Sequence, residues 1–367
     1  MNTSHTETRP FNTFSLWGKK DTRPLFAIDL EVTARCNNRC GHCYINRPAD
    51  DQLAQQEEMS IRKIETILDE ALSLGTLWIL LTGGEPLIRE DFEDIYMRLK
   101  QKGFLVSLFT NATLITDDHI RLFKAYPPRD LEVTVYGLTQ ATYERVSRRK
   151  GTFDQFRRGL DLLWSNNIKT NLKTTACRSN YGELPQIMDF CRTHSNGPFR
   201  FDPHLHLRFD GDEKRNREIE RERLTPEEIA DLEKRDSLRM EAYENACMKT
   251  TNTASHPGKL FSCGVGLNDC AISPNGWFRL CPSLWHPDYI YDLKKGSLKE
   301  AWEVFTPSVL AGGNIPPLAS APCFTCRLRH ICMWCPAHAF LESGQSHVQV
   351  PYFCDVAHKR AALFKEK

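Results

Sequence analysis

At 367 residues, with 41% hydrophobic and 26% charged content, the chain is long enough to bury a full core and has an ordinary globular composition. A formal charge of +1 argues against a nucleic-acid partner held by general electrostatics. Residues 1–22 are mostly polar and lack the apolar core of a signal peptide, and the longest apolar run, 77–81, has the length of a buried strand, so no membrane partner is expected. Fourteen cysteines are the anomaly. In the cytoplasmic location this implies, thiols stay reduced and clustered cysteines hold metal more often than they form disulfides.

Residues 26–33 predict the first strand, which leads into Cys36-Asn-Asn-Arg-Cys40-Gly-His-Cys43. Three thiolates at C-x3-C-x2-C spacing can hold three irons of a four-iron cube and leave the fourth open to an outside ligand that does chemistry there. A structural zinc, completed by His42, is the plainer use of the same loop. Residues 59–74 place Ile61, Ile64, Ile67, Leu68, Ala71 and Leu72 at helical spacing behind Ser60 as N-cap. The second strand, 77–82, runs directly into Gly83-Gly84-Glu85-Pro86. Adjacent glycines permit close approach or positive φ, and a carboxylate at a strand mouth can accept from an ammonium group.

Further strands are predicted at 104–110, ending in Thr110-Asn111-Ala112, at 131–136, ending in Thr134-Val135-Tyr136-Gly137, at 171–175 and at 199–206. Helices around 117–123, 153–164 and 184–191 separate them. Six βα units with polar residues at the strand ends predict an α/β fold, a partial (β/α)6 TIM-like barrel open on one side, with its site at the strand-end face. His204, His206 and Arg208 fall near the sixth strand end and are candidates for touching a substrate.

Residues 210–249 are dense in charge, with Thr225-Pro226 as a helix start; such a run is a solvated helical face or a cover for the open side of the barrel. Residues 250–258 read as a linker. Then come Cys263, Cys270, Cys281, Cys323, Cys326, Cys332, Cys335 and Cys354, eight ligands or two sets of four, with Asn275-Gly276 as a hairpin turn. Two zinc sites in a ribbon-like module also satisfy these spacings. Trp277, Trp285 and Trp334 are expected to shield this region, while Cys177 and Cys191 read as ordinary buried residues and Cys247 has no assigned role.

The three-cysteine loop, followed by one helix, one strand and Gly83-Gly84-Glu85-Pro86, resembles the signature of the radical S-adenosylmethionine (SAM) enzymes. The resemblance implies a [4Fe-4S] cluster on Cys36, Cys40 and Cys43. It also implies SAM contacts from His42, Gly83, Gly84, Glu85, Pro86, Thr110, Asn111 and Thr134, with Glu85 meeting the SAM amino group. Many relatives carry Ser-x-Asp-Gly where this chain has Thr134-Val135-Tyr136-Gly137. The span from Cys263 to Cys354 resembles the SPASM extension of such enzymes, which implies two auxiliary [4Fe-4S] clusters. By that pattern Cys263, Cys270, Cys281 and Cys335 close one, and Cys323, Cys326, Cys332 and Cys354 the other, although Cys332 and Cys335 stand one residue closer than is usual. The implied organisation is a flexible arm at 1–22, a radical SAM core at 23–208, a charged helical bridge and linker at 209–258, and a smaller cysteine-rich domain with a β-hairpin at 259–367.

The implied activity is reductive cleavage of SAM to a 5′-deoxyadenosyl radical, which takes hydrogen from a peptide or protein substrate. The product would be a matured ribosomal peptide carrying a thioether or carbon-carbon crosslink, or an epimerised residue. Alternatives are formylglycine formation of the sulfatase-maturase type, against which stands Pro282 where those relatives carry an aspartate, and radical oxidation of a small molecule. An iron-sulfur electron carrier or zinc scaffold without catalysis is the reading from another class. Expected partners are an electron donor such as flavodoxin or ferredoxin and, since only a short arm precedes the first strand, a separate leader-binding protein. No proton or hydrogen donor is assigned.

Overall fold

The computed structural model describes residues 23–249, 261, 263–311, 323 and 326–364, the side chains at 246–249 excepted. The arm at 1–22, the linker at 250–258 and the side chain of Cys247 lie outside the described part. Six strands, β1 (Ala27–Thr33), β2 (Trp78–Gly83), β3 (Leu105–Thr110), β4 (Asp130–Thr134), β5 (Asn171–Thr175) and β6 (Arg200–Asp202), each pair in parallel with the next. Between them run α1 (Ile61–Ser73), α2 (Phe92–Gln101), α3 (Asp117–Ala125), α4 (Gln140–Ser147), α5 (Thr152–Ser165) and α6 (Leu184–His194). This is the partial barrel that the alternation of β-rich and amphipathic stretches predicts.

Local chemistry sets the helix starts. Ser60, Thr116 and Thr139 each accept a backbone N–H of the first turn, and α1 buries Ile64, Ile67, Leu68 and Ala71 as one stripe. Each fully buried Ile or Leu contributes about 1.5–3 kcal/mol. Strand β1 has two faces: Ile28, Leu30 and Val32 enter the apolar layer beneath the helices, while Asp29 and Glu31 face the barrel interior. The sixth strand is three residues long, shorter than its apolar run suggests, because Pro203 follows and has no N–H for a ladder.

The charged stretch folds into α7 (Glu213–Glu222), α8 (Pro226–Glu233) and α9 (Ser237–Lys249), burying Ile219, Leu224, Ile229 and Leu232. A capping box of Thr225 and Glu228 opens α8. Beyond the linker, β7 (Asp269–Ile272) and β8 (Trp277–Arg279) form the hairpin, with Gly276 at φ 85° in its turn, and β9 (Ile290–Asp292) follows. The hairpin is continuous with the barrel. Strand β7 pairs in parallel with β1, giving one nine-stranded sheet among the described residues, in the order β9-β8-β7-β1-β2-β3-β4-β5-β6. Two final helices, α10 (Pro336–Ser343) and α11 (Pro351–Ala362), complete the cysteine-rich part, with α11 packed on α8.

Candidate active site

A cavity of about 690 Å³ opens at the C-terminal ends of the strands. Cys36, Cys40 and Cys43 line it together with His42, Gly83, Gly84, Thr110, Asn111 and Thr134. Strand register explains the meeting: β1 delivers the cysteine loop, and β2, β3 and β4 end beside it.

Both glycines answer first to the backbone. A Cβ on Gly83 would stand 2.2 Å from the Thr33 carbonyl oxygen, and one on Gly84 would stand 2.2 Å from that of Arg35. Gly84 N–H and Glu85 N–H donate to those same two carbonyls, at 2.7 and 2.9 Å. The Gly83-Gly84 step therefore seals the end of β2 against the start of the cysteine loop. Glu85 itself is fully buried and stands off the cavity wall. Its carboxylate accepts from Thr110 Oγ1 at 2.7 Å, Asn111 N–H at 2.7 Å and Leu87 N–H at 3.3 Å. Burial raises its pKa to about 7, against the pull of those three bonds. Pro86 opens a short 3-10 turn behind it.

Burial and the neighbouring thiols push Cys36 and Cys40 well above the ordinary cysteine range, so binding a metal group there must displace protons. Polar support surrounds the loop. Asn38 N–H and, at 3.9 Å, Asn111 Nδ2 point to Cys36 Sγ, and Asn111 Nδ2 also donates to Asn37 Oδ1 at 2.9 Å. Arg149 and Arg215 donate to the carbonyls of Asn37 and Cys40, at 2.5 and 2.9 Å. The Tyr136 hydroxyl bonds to Cys40, and its ring packs against His42 at 5.6 Å. Burial lowers the His42 pKa to about 4, and its buried Nδ1 has no hydrogen-bond partner among the described residues. Asn37, within the loop, and Tyr136, Arg149 and Arg215 were not expected; nothing in the spacing marks the last three, because each reaches the loop from a different part of the chain.

Across the cavity the wall is charged. Lys173 and Arg200 share Glu132 at 2.8 Å each, and Glu31 pairs with Arg279 at 2.6 Å. Asp29 lies beside them, its pKa raised to about 6 by burial and by Asp269 and Glu31. The charged bridge reaches the wall through Arg239 and Tyr243, and the C-terminal part through Pro282, Ser283, Met333 and Arg360. His204 Nε2 accepts from Arg360 Nη2 at 2.7 Å, His206 stacks on His338 at 4.3 Å, and Arg208 pairs with Asp210 at 2.6 Å. His204 and His206 thus line the cavity, whereas Arg208 braces a loop.

Cys323, Cys326, Cys332 and Cys354 line a second void of about 240 Å³ with Trp334. No three His, Cys, Asp or Glu side chains among the described residues converge tightly enough for one metal ion. Cys323, Cys326, Cys332 and Cys354 instead surround one void, larger than a single ion needs. Cys281 feels Cys335 and Cys263 as charged neighbours. Cys270, placed in the same set by the SPASM resemblance, is buried in β7, in register with Ile28, within the main apolar core against which Cys281 and Cys335 also pack. Cys335 caps α10, its sulfur accepting from His338 N–H at 3.4 Å. Trp277 and Trp285 meet edge to face, and Arg279 lies 3.6 Å over Trp285. Cys177 and Cys191 are fully buried. No described helix is long and apolar enough to cross a membrane.

Residues 30–191 match the family model of the Radical SAM superfamily. An AdoMet-dependent heme synthase of Methanosarcina barkeri is 23% identical over 345 residues, covering 89% of this chain and 95% of that protein. An Fe-coproporphyrin III synthase of the same organism is 31% identical over 170 residues, 46% of this chain and 41% of that protein, so this chain spans less than half of its length. Streptococcus suis SuiB, solved bound to the precursor peptide SuiA, superposes with a TM-score of 0.66 at 15% identity, covering 91% of this chain and 76% of that one.

Proposed function

We propose, from the match of residues 30–191 to the Radical SAM superfamily, an enzyme that cleaves SAM reductively and takes a hydrogen atom from a substrate carbon within the 690 Å³ cavity. The observation that carries this reading is the convergence of Cys36, Cys40 and Cys43 on one cavity with Gly83, Gly84, Thr110, Asn111, Thr134 and His42. A [4Fe-4S] cluster on the three thiolates, with SAM on its open iron, would supply the electron and the 5′-deoxyadenosyl radical. The chain's own work is positioning and exclusion of water. Glu85 holds the ends of β2 and β3 in fixed relation, and Asn111 reaches from β3 to Cys36. The SAM contacts therefore fall to the wall residues, with Glu85 and Pro86 setting their positions.

The substrate reading is a peptide or protein, supported by the fold shared with SuiB, which binds a precursor peptide. A small carboxylate-bearing molecule is the second reading. It is favoured by the charged wall of Lys173, Arg200, Arg239 and Arg360 and by the full-length relative named as a heme synthase. In either case two auxiliary clusters in the C-terminal part are proposed as electron acceptors, one of them in the void lined by Cys323, Cys326, Cys332 and Cys354. The external electron donor and a separate leader-binding protein belong to the same proposal.

The test is anaerobic reconstitution, iron analysis, and assay of 5′-deoxyadenosine after addition of dithionite and SAM. The native chain is expected to cleave SAM, and Cys36→Ala to abolish cleavage while keeping iron in its C-terminal part. Cleavage by Cys36→Ala above background would overturn the assignment.

A further inference from the structure

Two sides of the cysteine loop are already taken. Cys36, Cys40 and Cys43 line the cavity, and α7 lies across a second side. From α7, Arg215 donates to the Cys40 carbonyl at 2.9 Å and pairs with Glu218, which also holds Arg148 at 2.6 Å. The Arg148 guanidinium lies so close over Gly41 that an added Cβ there would stand 2.2 Å from it.

A third side is open. Arg39, between Cys36 and Cys40, is exposed, and its side chain meets no partner among the described residues. Its N–H donates to the Ser147 carbonyl at 2.9 Å, and Arg149 Nη1 donates to the Asn37 carbonyl at 2.5 Å. The turn between α4 and α5 therefore abuts the loop. Residues 145–158 carry six cations, Arg145, Arg148, Arg149, Lys150, Arg157 and Arg158, against one acid, Asp154, in a chain whose whole formal charge is +1. Arg148 is occupied by Glu218, and Arg145 turns to the Ser179 carbonyl at 2.8 Å. The other four are exposed and have no acidic partner among the described residues. Glu144, just before this segment, accepts from Gly151 N–H at 2.7 Å, and Asp161 lies a turn farther along α5. Like charges gathered in this way repel one another, and an acidic surface laid over them is attracted and steered.

We propose that the surface of Arg39, Arg149, Lys150, Arg157 and Arg158 docks an acidic one-electron carrier protein. The proposal rests on the cluster reading above and says where the electron enters. None of the five residues lines the cavity, and Arg39 adjoins Cys40, so a carrier seated here reaches a thiolate while the substrate space stays free. One electron passes from the reduced carrier to the cluster, and the carrier departs oxidised.

The test uses the reconstituted full chain, with reduced flavodoxin as the carrier and dithionite as a small reductant that needs no docking. The native chain is expected to saturate with flavodoxin, at a half-saturating concentration that rises with salt. Lys150→Glu combined with Arg158→Glu is expected to raise that concentration about tenfold, with iron content and dithionite-driven 5′-deoxyadenosine formation unchanged. Affinity for oxidised flavodoxin, measured by titration calorimetry, should fall by the same factor. Lys150→Gln with Arg158→Gln should lie between. Lys124→Glu with Lys169→Glu makes the same change of charge at the other end of the strands and should leave both readings near native. An unaltered flavodoxin requirement in the first variant would overturn the proposal. So would an equal shift in the Lys124 and Lys169 variant, or a native chain that responds to dithionite but to no concentration of flavodoxin. A native chain that fails with dithionite as well would instead sink the cluster reading.

Discussion

A carboxylate that meets a ligand's ammonium group should stand on the cavity wall, yet Glu85 directs all its hydrogen bonds to Thr110, Asn111 and Leu87. Glu85→Gln turns an NH2 toward a backbone donor, Asn111 N–H or Leu87 N–H, and should cost about 1–3 kcal/mol at pH 8. Chemical denaturation would measure it. The pH dependence has a definite sign. Folding raises this carboxyl from its ordinary 4.5 to about 7, so between those values the folded chain keeps a proton the unfolded chain has lost. Its contribution to stability therefore falls as pH rises through that window. Asp29, raised to about 6, acts the same way. His42, lowered to about 4, acts oppositely, since below its ordinary 6.5 the unfolded chain gains a proton first. Glu85→Gln should therefore lose more stability than the native chain between pH 7 and pH 5. Equal losses would contradict the buried-carboxyl account.

Helix α5 tests how far local propensity reaches. Gly159 lies in its interior, where replacing Gly by Ala ordinarily stabilises by about 1 kcal/mol. Here an added Cβ would stand 1.9 Å from the Ala112 carbonyl oxygen, in the turn that follows β3. Ala112 itself has φ 61°, so that turn has little freedom to retreat. Gly159→Ala should lower the thermal midpoint by several degrees and weaken the proposed SAM binding by displacing Asn111, and a rise in the midpoint would refute the close packing. Contacts of this kind explain what the sequence shows and hides. The strands, the Ser60 cap and the cysteine loop are local patterns, and the barrel follows from their alternation. Helix α4 escapes such reading because it is eight residues long with a weak apolar stripe. The face on which Cys270 lies is a matter of register between β7 and β1, some 240 residues apart in sequence, and spacing among cysteines carries no trace of it.

The C-terminal part is held to the barrel by a buried charge network. Arg360 on α11 pairs with Glu233 on α8 at 2.6 Å, donates to His204 beyond β6 at 2.7 Å and to the Ile331 carbonyl at 2.7 Å beside Cys332. Glu233 is wholly buried and is shared with Arg239 and Tyr243. Removing one member of such a set strands the remaining charge, so Arg360→Met should cost roughly 3–5 kcal/mol. Arg360→Lys keeps the charge without the planar fork and should fall between. Urea midpoints of the three proteins would rank them, and an unchanged Arg360→Met would show that Arg239 suffices.

The pairing of β7 with β1 also bears on how the molecule is made. On the ribosome, β1 is followed by β2 within about fifty residues, but its other edge has no partner until residue 272 has been translated. For more than two hundred residues of synthesis, the nascent chain therefore displays an unpaired edge carrying Ile, Leu and Val, a template for wrong partners. Alternating Asp29 and Glu31 into that edge places charge where a stray strand would dock, a safeguard for assembly written into the same residues that later shape the cavity.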